Sequence, residues 1–179
     1  RNYGGRDFVD GGNGDDLIVG ADFGATLLGG NGDDVIWGGT ARDVIKGGYG
    51  ADVIRAGDGN DRVDGGGGDD DIRLGAGDDF VAAEDDFGRG NDRIRGEAGN
   101  DWMHGGRGAD TLDGGDGDDR LNGGAGDDLL KGGAGADVFE VRGACGGDTV
   151  TDFGAGDSLH IGRGINGLGD FDAGDLAER

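Results

Sequence analysis

The stretch GGNGDDLIV, residues 11–19, returns almost unchanged as GGNGDDVIW at residues 29–37. Each copy places glycine and aspartate first and apolar residues last. The nine residues between the copies, GADFGATLL, follow the same order more loosely. A period of nine matches neither the 3.6-residue period of an amphipathic helix nor a heptad. It indicates short strands alternating with glycine-rich turns, as in a solenoid.

The nonapeptide pattern covers residues 2–140. Nine consecutive units run from Asn2 to Ala82, residues 83–86 interrupt, and six more units run from Phe87 to Glu140. The eighth position is apolar in all fifteen units, whereas positions seven and nine vary. We therefore expect one inward side chain per unit and two facing sheets, with successive units on opposite sides. A full turn is then about 18 residues, and the fifteen units predict an all-β solenoid of about 7.5 turns.

The composition excludes several classes of protein. The chain has 179 residues with 49 Gly, no Pro and a net charge of −23. So much glycine disfavours long helices, and an acidic surface repels nucleic acid and anionic membranes. No apolar run is long enough to span a bilayer. The first residues lack the pattern of a signal peptide, and we expect the chain to be a piece of a longer protein.

The sixth position of the unit is Asp in fourteen of the fifteen units, with Ala25 as the exception. Stacked turns bring these carboxylates together, and two like charges about 4 Å apart repel by about 4 kcal/mol at an effective dielectric constant of 20. A hard dication between the turns removes this repulsion, and calcium also accepts carbonyl oxygens from glycine-rich turns. The predicted calcium ligands form two rows, one of Asp16, Asp34, Asp52, Asp70, Asp92, Asp110 and Asp128, and one of Asp43, Asp61, Asp79, Asp101, Asp119 and Asp137. Counting the gaps between stacked turns, except the two beside Ala25, predicts about 11 Ca²⁺ ions.

The unit G-G-x-G-x-D-x-U-x, with U apolar, resembles the calcium-binding nonapeptide of RTX (hemolysin-type) proteins. The resemblance covers residues 2–140 and implies a right-handed parallel β-roll with calcium between stacked turns. It implies carbonyl ligands from the second and fourth positions of the turns: Gly30, Gly32, Gly48, Gly50, Gly66, Gly68, Gly106, Gly108, Gly124 and Gly126. Phe23, Ala41 and Glu97 replace glycines of the unit. We therefore expect defective calcium sites beside the third and fifth units.

Residues 141–179 are interpreted as a C-terminal capping segment. GGDTVTDFGAGDSLHI, residues 146–161, resembles the segment that closes the roll in serralysin-like exoproteins. We expect Val150, Phe153, Leu159 and Ile161 to cover the last turn and protect an open sheet edge. Three aspartates of this segment either bind a further ion or form turns: Asp148, Asp152 and Asp157.

The resemblance implies a calcium-binding module of a secreted bacterial protein, exported by a type I system and folded by extracellular calcium. The chain has no HExxH motif and no other catalytic constellation, so we expect it not to be an enzyme. Two alternatives remain, an accessory domain of a secreted protease, lipase or polysaccharide epimerase, and an adhesin or surface-layer spacer. A docking face for a preceding domain or a partner is predicted at apolar outward positions of the first six units: Phe8, Leu17, Val19, Leu28, Val35, Trp37, Val44 and Val53.

Overall fold

The computed structural model describes residues 7–82, 89–142 and 146–162. These residues form β-strands joined by turns, with no helix among them. The strands are β1 (Asp7–Asn13), β2 (Leu17–Val19), β3 (Ala25–Asn31), β4 (Val35–Gly39), β5 (Val44–Tyr49), β6 (Val53–Asp58), β7 (Arg62–Gly67), β8 (Asp71–Ala76), β9 (Phe80–Val81), β10 (Arg93–Ala98), β11 (Trp102–Arg107), β12 (Thr111–Asp116), β13 (Arg120–Ala125), β14 (Leu129–Ala134), β15 (Val138–Val141), β16 (Thr149–Val150) and β17 (Ser158–Ile161).

The chain alternates between two parallel sheets. Sheet I contains the odd-numbered strands in the order β1-β3-β5-β7-β9-β11-β13-β15-β17, and sheet II contains the even-numbered strands from β2 to β16 in the same manner. Paired residues lie one turn apart, as in Leu27 opposite Ile45 and Ile36 opposite Ile54. This arrangement confirms the predicted parallel β-roll. It has about eight turns rather than 7.5, because the tail adds the strands β16 and β17.

The register shows where the repeat changes length. Hydrogen-bonded residues of adjacent turns are 18 positions apart over most of the roll, as for Asp34 and Asp52. The offset is 22 for Asp79 and Asp101, on either side of the four interrupting residues of the sequence. Strand pairing therefore resumes in the same register after the interruption, and residues 83–88 themselves lie outside the described residues.

The core is a double row of apolar side chains between the sheets. The eighth-position residues are buried, among them Leu27, Ile36, Ile54, Leu121 and Phe139. Burying a side chain of this size contributes about 1.5–3 kcal/mol. The expectation of one inward side chain per unit was too low. Most strands cross the boundary between units, and strand alternation turns the eighth and the following first positions inward together, on the same side as the sixth.

The tail continues both sheets rather than only covering them. Val150 pairs with Leu130 in sheet II, and Leu159 pairs with Phe139 in sheet I. Both tail residues are partly buried against the core. The Phe153 ring lies against Phe139, with ring centroids 5.9 Å apart, whereas Ile161 stays 48% exposed. The end of the roll is thus built partly from additional strands, and residues 163–179 lie outside the described residues.

The apolar outward residues of the first six units lie on two surfaces. Leu17 and Trp37 are exposed on sheet II, whereas Phe8 is exposed on sheet I. Successive units belong to opposite sheets, so a row of apolar positions along the sequence divides between both outer faces. A single docking face is therefore not formed, and a partner at either surface stays a prediction.

The described part of the chain also forms no helix with the length and apolar character needed to cross a bilayer.

Candidate metal centre

The predicted aspartates lie in two rows, one along each side of the roll. The turns from sheet I to sheet II carry the first turn row, and the turns from sheet II to sheet I carry the second. The first row contains Asp16, Asp34, Asp52, Asp70, Asp92, Asp110 and Asp128, and the second contains Asp43, Asp61, Asp79, Asp101, Asp119 and Asp137. Their side chains point inward; eleven of the thirteen are at most 3% exposed, and Asp16 and Asp92 are half-buried.

One carboxylate oxygen of every row aspartate after Asp16 is fixed by the backbone of the preceding turn. The N–H of Asp34 donates to Oδ1 of Asp52 at 2.8 Å, and the N–H of Asp52 donates to Oδ1 of Asp70 at 2.8 Å. In the second row the N–H of Ala25 donates to Oδ1 of Asp43 at 2.6 Å. This bond recurs along both rows and holds each carboxylate in the space between two stacked turns.

The other carboxylate oxygen is buried without a donor. No hydrogen-bond partner among the described residues reaches Oδ2 of Asp16, Asp34, Asp43, Asp52, Asp61, Asp70, Asp79, Asp101, Asp110, Asp119, Asp128 or Asp137. More than 90% of buried polar groups in proteins have a partner. A repeated series of orphaned, buried carboxylate oxygens therefore fits a row of bound cations.

The glycine at the first position of the turn leaves room at this oxygen. A Cβ added at Gly11 would lie 2.6 Å from Oδ2 of Asp16 and 2.7 Å from the carbonyl oxygen of Gly29 in the next turn. Gly29 and Gly47 face Oδ2 of Asp34 and Asp52 in the same way and still more closely. A carboxylate oxygen of one turn and a carbonyl oxygen of the next thus face the same small space.

The glycines predicted as carbonyl ligands have the backbone conformation that this geometry needs. All ten have positive φ, as illustrated by Gly32 at 127° and Gly50 at 127°. The carbonyl oxygen of Gly32 lies against Cα of Gly50, and that of Gly50 lies against Cα of Gly68. Among the described residues no backbone N–H or side chain donates to these two oxygens. They are uncharged oxygen atoms directed at the gap between turns.

The available donor atoms fit calcium better than a softer metal. The described residues contain no group of three or more His, Cys, Asp or Glu side chains arranged to hold a metal ion. Each gap offers carboxylates from two stacked aspartates, and carbonyl oxygens must supply the remaining ligands. Calcium takes six to eight oxygen ligands of this mixed kind in a flexible geometry.

Burial raises the pKa of several inward carboxyl groups, among them Asp70, Asp61 and Asp110. The pKa of Asp70 is raised to about 8, mainly by burial, with a smaller contribution from the charges of Asp92 and Asp52 and against the lowering effect of a backbone hydrogen bond. Burial raises the pKa of Asp61 and of Asp110 to about 7. At neutral pH Asp61, Asp70 and Asp110 therefore favour a positive partner, which is either a proton or a metal ion.

The two turn rows are not equivalent. The units of the first row from 11–19 to 65–73 begin with glycine, whereas the second row has Ala56 and Leu74 at the first position. Both side chains are fully buried in the core. Ala25 lacks a carboxylate, and the positive charge of Arg42 acts on Asp61 and lowers its pKa. The N-terminal half of the second row therefore departs furthest from the regular geometry, and Ala56 and Leu74 extend this departure beyond the two sites expected from the sequence.

The fifth position forms a second ladder that the sequence analysis missed. The N–H of Asp33 donates to Oδ1 of Asp15 at 3.0 Å, and the N–H of Ala51 donates to Oδ1 of Asp33 at 2.8 Å. Asn91 plays the same part, accepting from the N–H of Ala109 at 2.9 Å. These side chains are exposed and point toward the following turn. The frequent Asp or Asn at the fifth position could have predicted this ladder from the sequence. Because Asn accepts the backbone N–H as Asp does, the hydrogen bond does not need a charged side chain.

The tail aspartates continue the two rows. Oδ1 of Asp148 accepts the N–H of Asp128 at 3.3 Å, and Oδ1 of Asp157 accepts the N–H of Asp137 at 3.0 Å. The second oxygen of Asp157 accepts the N–H of Gly154 at 2.7 Å, so this residue forms a turn. Asp152 accepts two backbone N–H groups from β14. Only Asp148, whose pKa burial raises to about 6, resembles the inward carboxylates of the roll.

The fold and the site together define a parallel β-roll with stacked carboxylate and carbonyl oxygens along its two turn rows. The family model for the RTX calcium-binding nonapeptide repeat, which spans four copies of the unit, matches residues 3–27, 20–48, 28–63, 46–81, 88–112 and 113–141. These matches cover more than half of the chain. The chain therefore belongs to the RTX calcium-binding repeat family, as its nonapeptide predicted. A search of curated proteins finds no match.

Proposed function

We propose that the chain is a calcium-binding module of a secreted protein and that calcium binding and folding are coupled. The observation that carries this proposal is the series of buried Oδ2 atoms without a donor, repeated from Asp16 to Asp137. Bound calcium supplies positive charge and a flexible oxygen coordination sphere at these atoms. The Oδ1 hydrogen bonds of the chain hold each carboxylate between two stacked turns, and the first-position glycines leave space for an ion beside Oδ2.

The coupling follows from the cost of folding without metal. Stacking in the roll takes each inward carboxylate out of water and places it near its like-charged neighbours. An unfolded chain avoids both costs, since its aspartates are hydrated and far apart. A ligand that binds only the folded state stabilises it by RT ln(1 + [L]/Kd) at each site. Many weak sites in one roll therefore add up to a large calcium-dependent stability.

Export and extracellular folding are part of the same proposal. Calcium modules that work outside cells have Kd values of about 10⁻⁴–10⁻³ M, so a chain of this kind stays unfolded where calcium is scarce. The net charge of −23 keeps such an unfolded chain expanded and soluble. Type I export of the unfolded chain, followed by folding on extracellular calcium, agrees with this behaviour. The proposed role is binding and not catalysis.

Native mass spectrometry and calorimetry of the 179-residue chain test the proposal. We expect several calcium ions per chain, up to about 11, and a gain of β-sheet circular dichroism over the same range of calcium concentration. Magnesium is the control, because it demands a nearly ideal octahedral site and gives up its water reluctantly. Saturation by one or two calcium ions, or calcium binding without a change in dichroism, would show that the proposal is wrong.

A further inference from the structure

The outer face of sheet II carries a column of arginines. Arg55, Arg73 and Arg95 occupy the ninth position in three neighbouring strands, β6, β8 and β10, and are paired in register. Arg93 lies two residues before Arg95 on the same face of β10. Adjacent strands are about 4.8 Å apart. We call these four residues the arginine column.

Most of the positive charge in the arginine column is not neutralised. Arg95 forms an ion pair with Asp71, with Nη1 and Oδ1 3.3 Å apart. Nε of Arg73 is buried and has no hydrogen-bond partner. Arg55 and Arg93 are exposed and form no ion pair or hydrogen bond within the described residues. Like charges directly opposite each other destabilise a sheet, so this arrangement is unfavourable unless an anionic ligand covers it.

The column has defined ends. Trp37, which is 46% exposed, lies opposite Arg55 in the adjacent strand β4. At the other end Asp113 lies opposite Arg95 and forms an ion pair with Lys131 at 3.0 Å. A recess of about 100 Å³ beside Arg93 and Arg95 is lined by Thr111 and Thr151, among others. From Trp37 to Arg95 the surface spans three strand spacings, or about 14 Å.

We propose that the arginine column binds a linear anionic polysaccharide. A guanidinium group forms two parallel hydrogen bonds with a carboxylate or a sulfate, and arginines repeating along the sheet fit a polymer with repeating charges. Trp37 offers an apolar ring face to a sugar at the end of the column. Double-stranded DNA carries one negative charge per about 1.7 Å, which is far denser than the spacing of about 4.8 Å between arginines of adjacent strands. The inference rests on the proposed function, because the arginines come into register only in the folded roll.

Binding of fluorescent dextran sulfate to the calcium-loaded chain tests the inference, with uncharged dextran as the matched polymer. The test variant combines Arg55→Gln with Arg73→Gln. The control variant combines Arg89→Gln with Arg107→Gln, which removes the same charge elsewhere, since both residues are exposed and outside the column. We expect the test variant to raise the Kd about tenfold or more and to lower the slope of log K against log salt by about two. The control variant should change the Kd less than about threefold.

Three results would overturn the inference. These are equal affinities of the two double variants, equal binding of dextran and dextran sulfate, and tighter binding of single-stranded DNA than of dextran sulfate. Circular dichroism of the same samples separates this inference from the proposed function. If the variant with Arg55→Gln and Arg73→Gln folds in calcium but binds dextran sulfate weakly, the result supports binding at the arginine column. A chain that binds dextran sulfate in excess chelator with its β-sheet signal intact contradicts the proposed function and leaves the column in place.

Discussion

Replacing Asp70 by Asn tests the role of an inward carboxylate most sharply. Asp70 lies between Asp52 and Asp92 in the first turn row, so its side chain borders two gaps between turns. Its pKa of about 8 in the metal-free roll, against an ordinary value of 3.8, means that Asp70 takes up a proton on folding at pH 7. This uptake costs about 4 kcal/mol, at about 1.4 kcal/mol for each pH unit between the unfolded pKa and pH 7. Asn carries no charge and keeps the shape. We therefore expect Asp70→Asn to stabilise the metal-free roll by up to about 4 kcal/mol at pH 7.

The same substitution should weaken the response to calcium. Each tenfold rise in calcium stabilises the folded roll by about 1.4 kcal/mol for every ion taken up on folding. Loss of the two sites beside Asp70 removes about 2.7 kcal/mol of stabilisation per tenfold rise. Urea unfolding followed by circular dichroism, at a series of calcium concentrations from about 0.1 to 10 mM, measures this slope. When the free energy of unfolding is plotted against the logarithm of the calcium concentration, the lines of the wild type and of Asp70→Asn should cross. The variant should be more stable at low calcium and the wild type at high calcium.

Asp69→Asn is the matched control for this experiment. Asp69 is the adjacent residue, and the substitution removes the same charge. Its Oδ1 accepts the N–H of Asn91 at 2.7 Å, and an amide oxygen replaces this acceptor. The charge of Asp69 raises the pKa of Asp70 less than burial does. We therefore expect Asp69→Asn to keep the wild-type dependence on calcium and to change the free energy of unfolding far less than Asp70→Asn does. An unchanged slope for Asp70→Asn, or an equal loss for Asp69→Asn, would refute the assignment of the sixth position as the calcium ligand.

Three further predictions follow the same geometry. Asp70→Ala should lower calcium affinity more than Asp7→Ala, because the one neighbour of Asp7 in its row is Ala25; titration calorimetry giving the reverse order would contradict the register. Gly29→Ala should weaken calcium binding beside Asp34, since its Cβ would overlap Oδ2 of Asp34, whereas Gly147→Ala, whose Cβ meets its nearest atom at 3.4 Å, should leave calcium affinity unchanged in titration calorimetry. Calcium binding should release protons between about pH 6 and pH 8, the range of the raised pKa values. Protonated carboxyl groups stabilise the metal-free roll at low pH, and this stabilisation is lost as the pH rises through the raised pKa values. Calcium affinity should therefore rise with pH. An indicator dye that shows no proton release on calcium binding at pH 7 would contradict this prediction.

The architecture was predictable because the repeat is strict. The eighth position of every nonapeptide unit is apolar and the sixth is almost always aspartate, and this regularity already requires equivalent positions to stack. Because successive units alternate between two sheets, stacked equivalent residues are 18 positions apart. The predicted aspartates are accordingly brought together in two rows. Asp148 was left open in the sequence because the tail changes the spacing from 18 to 20, which hides its equivalence to Asp128.

Other features depended on atoms that the sequence pattern does not distinguish. Both oxygens of Asp34 belong to one side chain, but only the structure shows that its Oδ1 is hydrogen-bonded and its Oδ2 is not. The inward direction of the first position was missed because the strands are longer than three residues. Leu74 was consequently not expected in the core, whereas its side chain is fully buried beside the second turn row.

Circular dichroism of the whole chain at neutral pH, first in excess chelator and then with calcium restored to millimolar levels, tests the central claim most directly. The account predicts little β-sheet signal in chelator and a cooperative, reversible gain when calcium is added. A full β-sheet signal in chelator, unchanged by calcium, would show that the stacked carboxylates do not need the metal and would contradict the account.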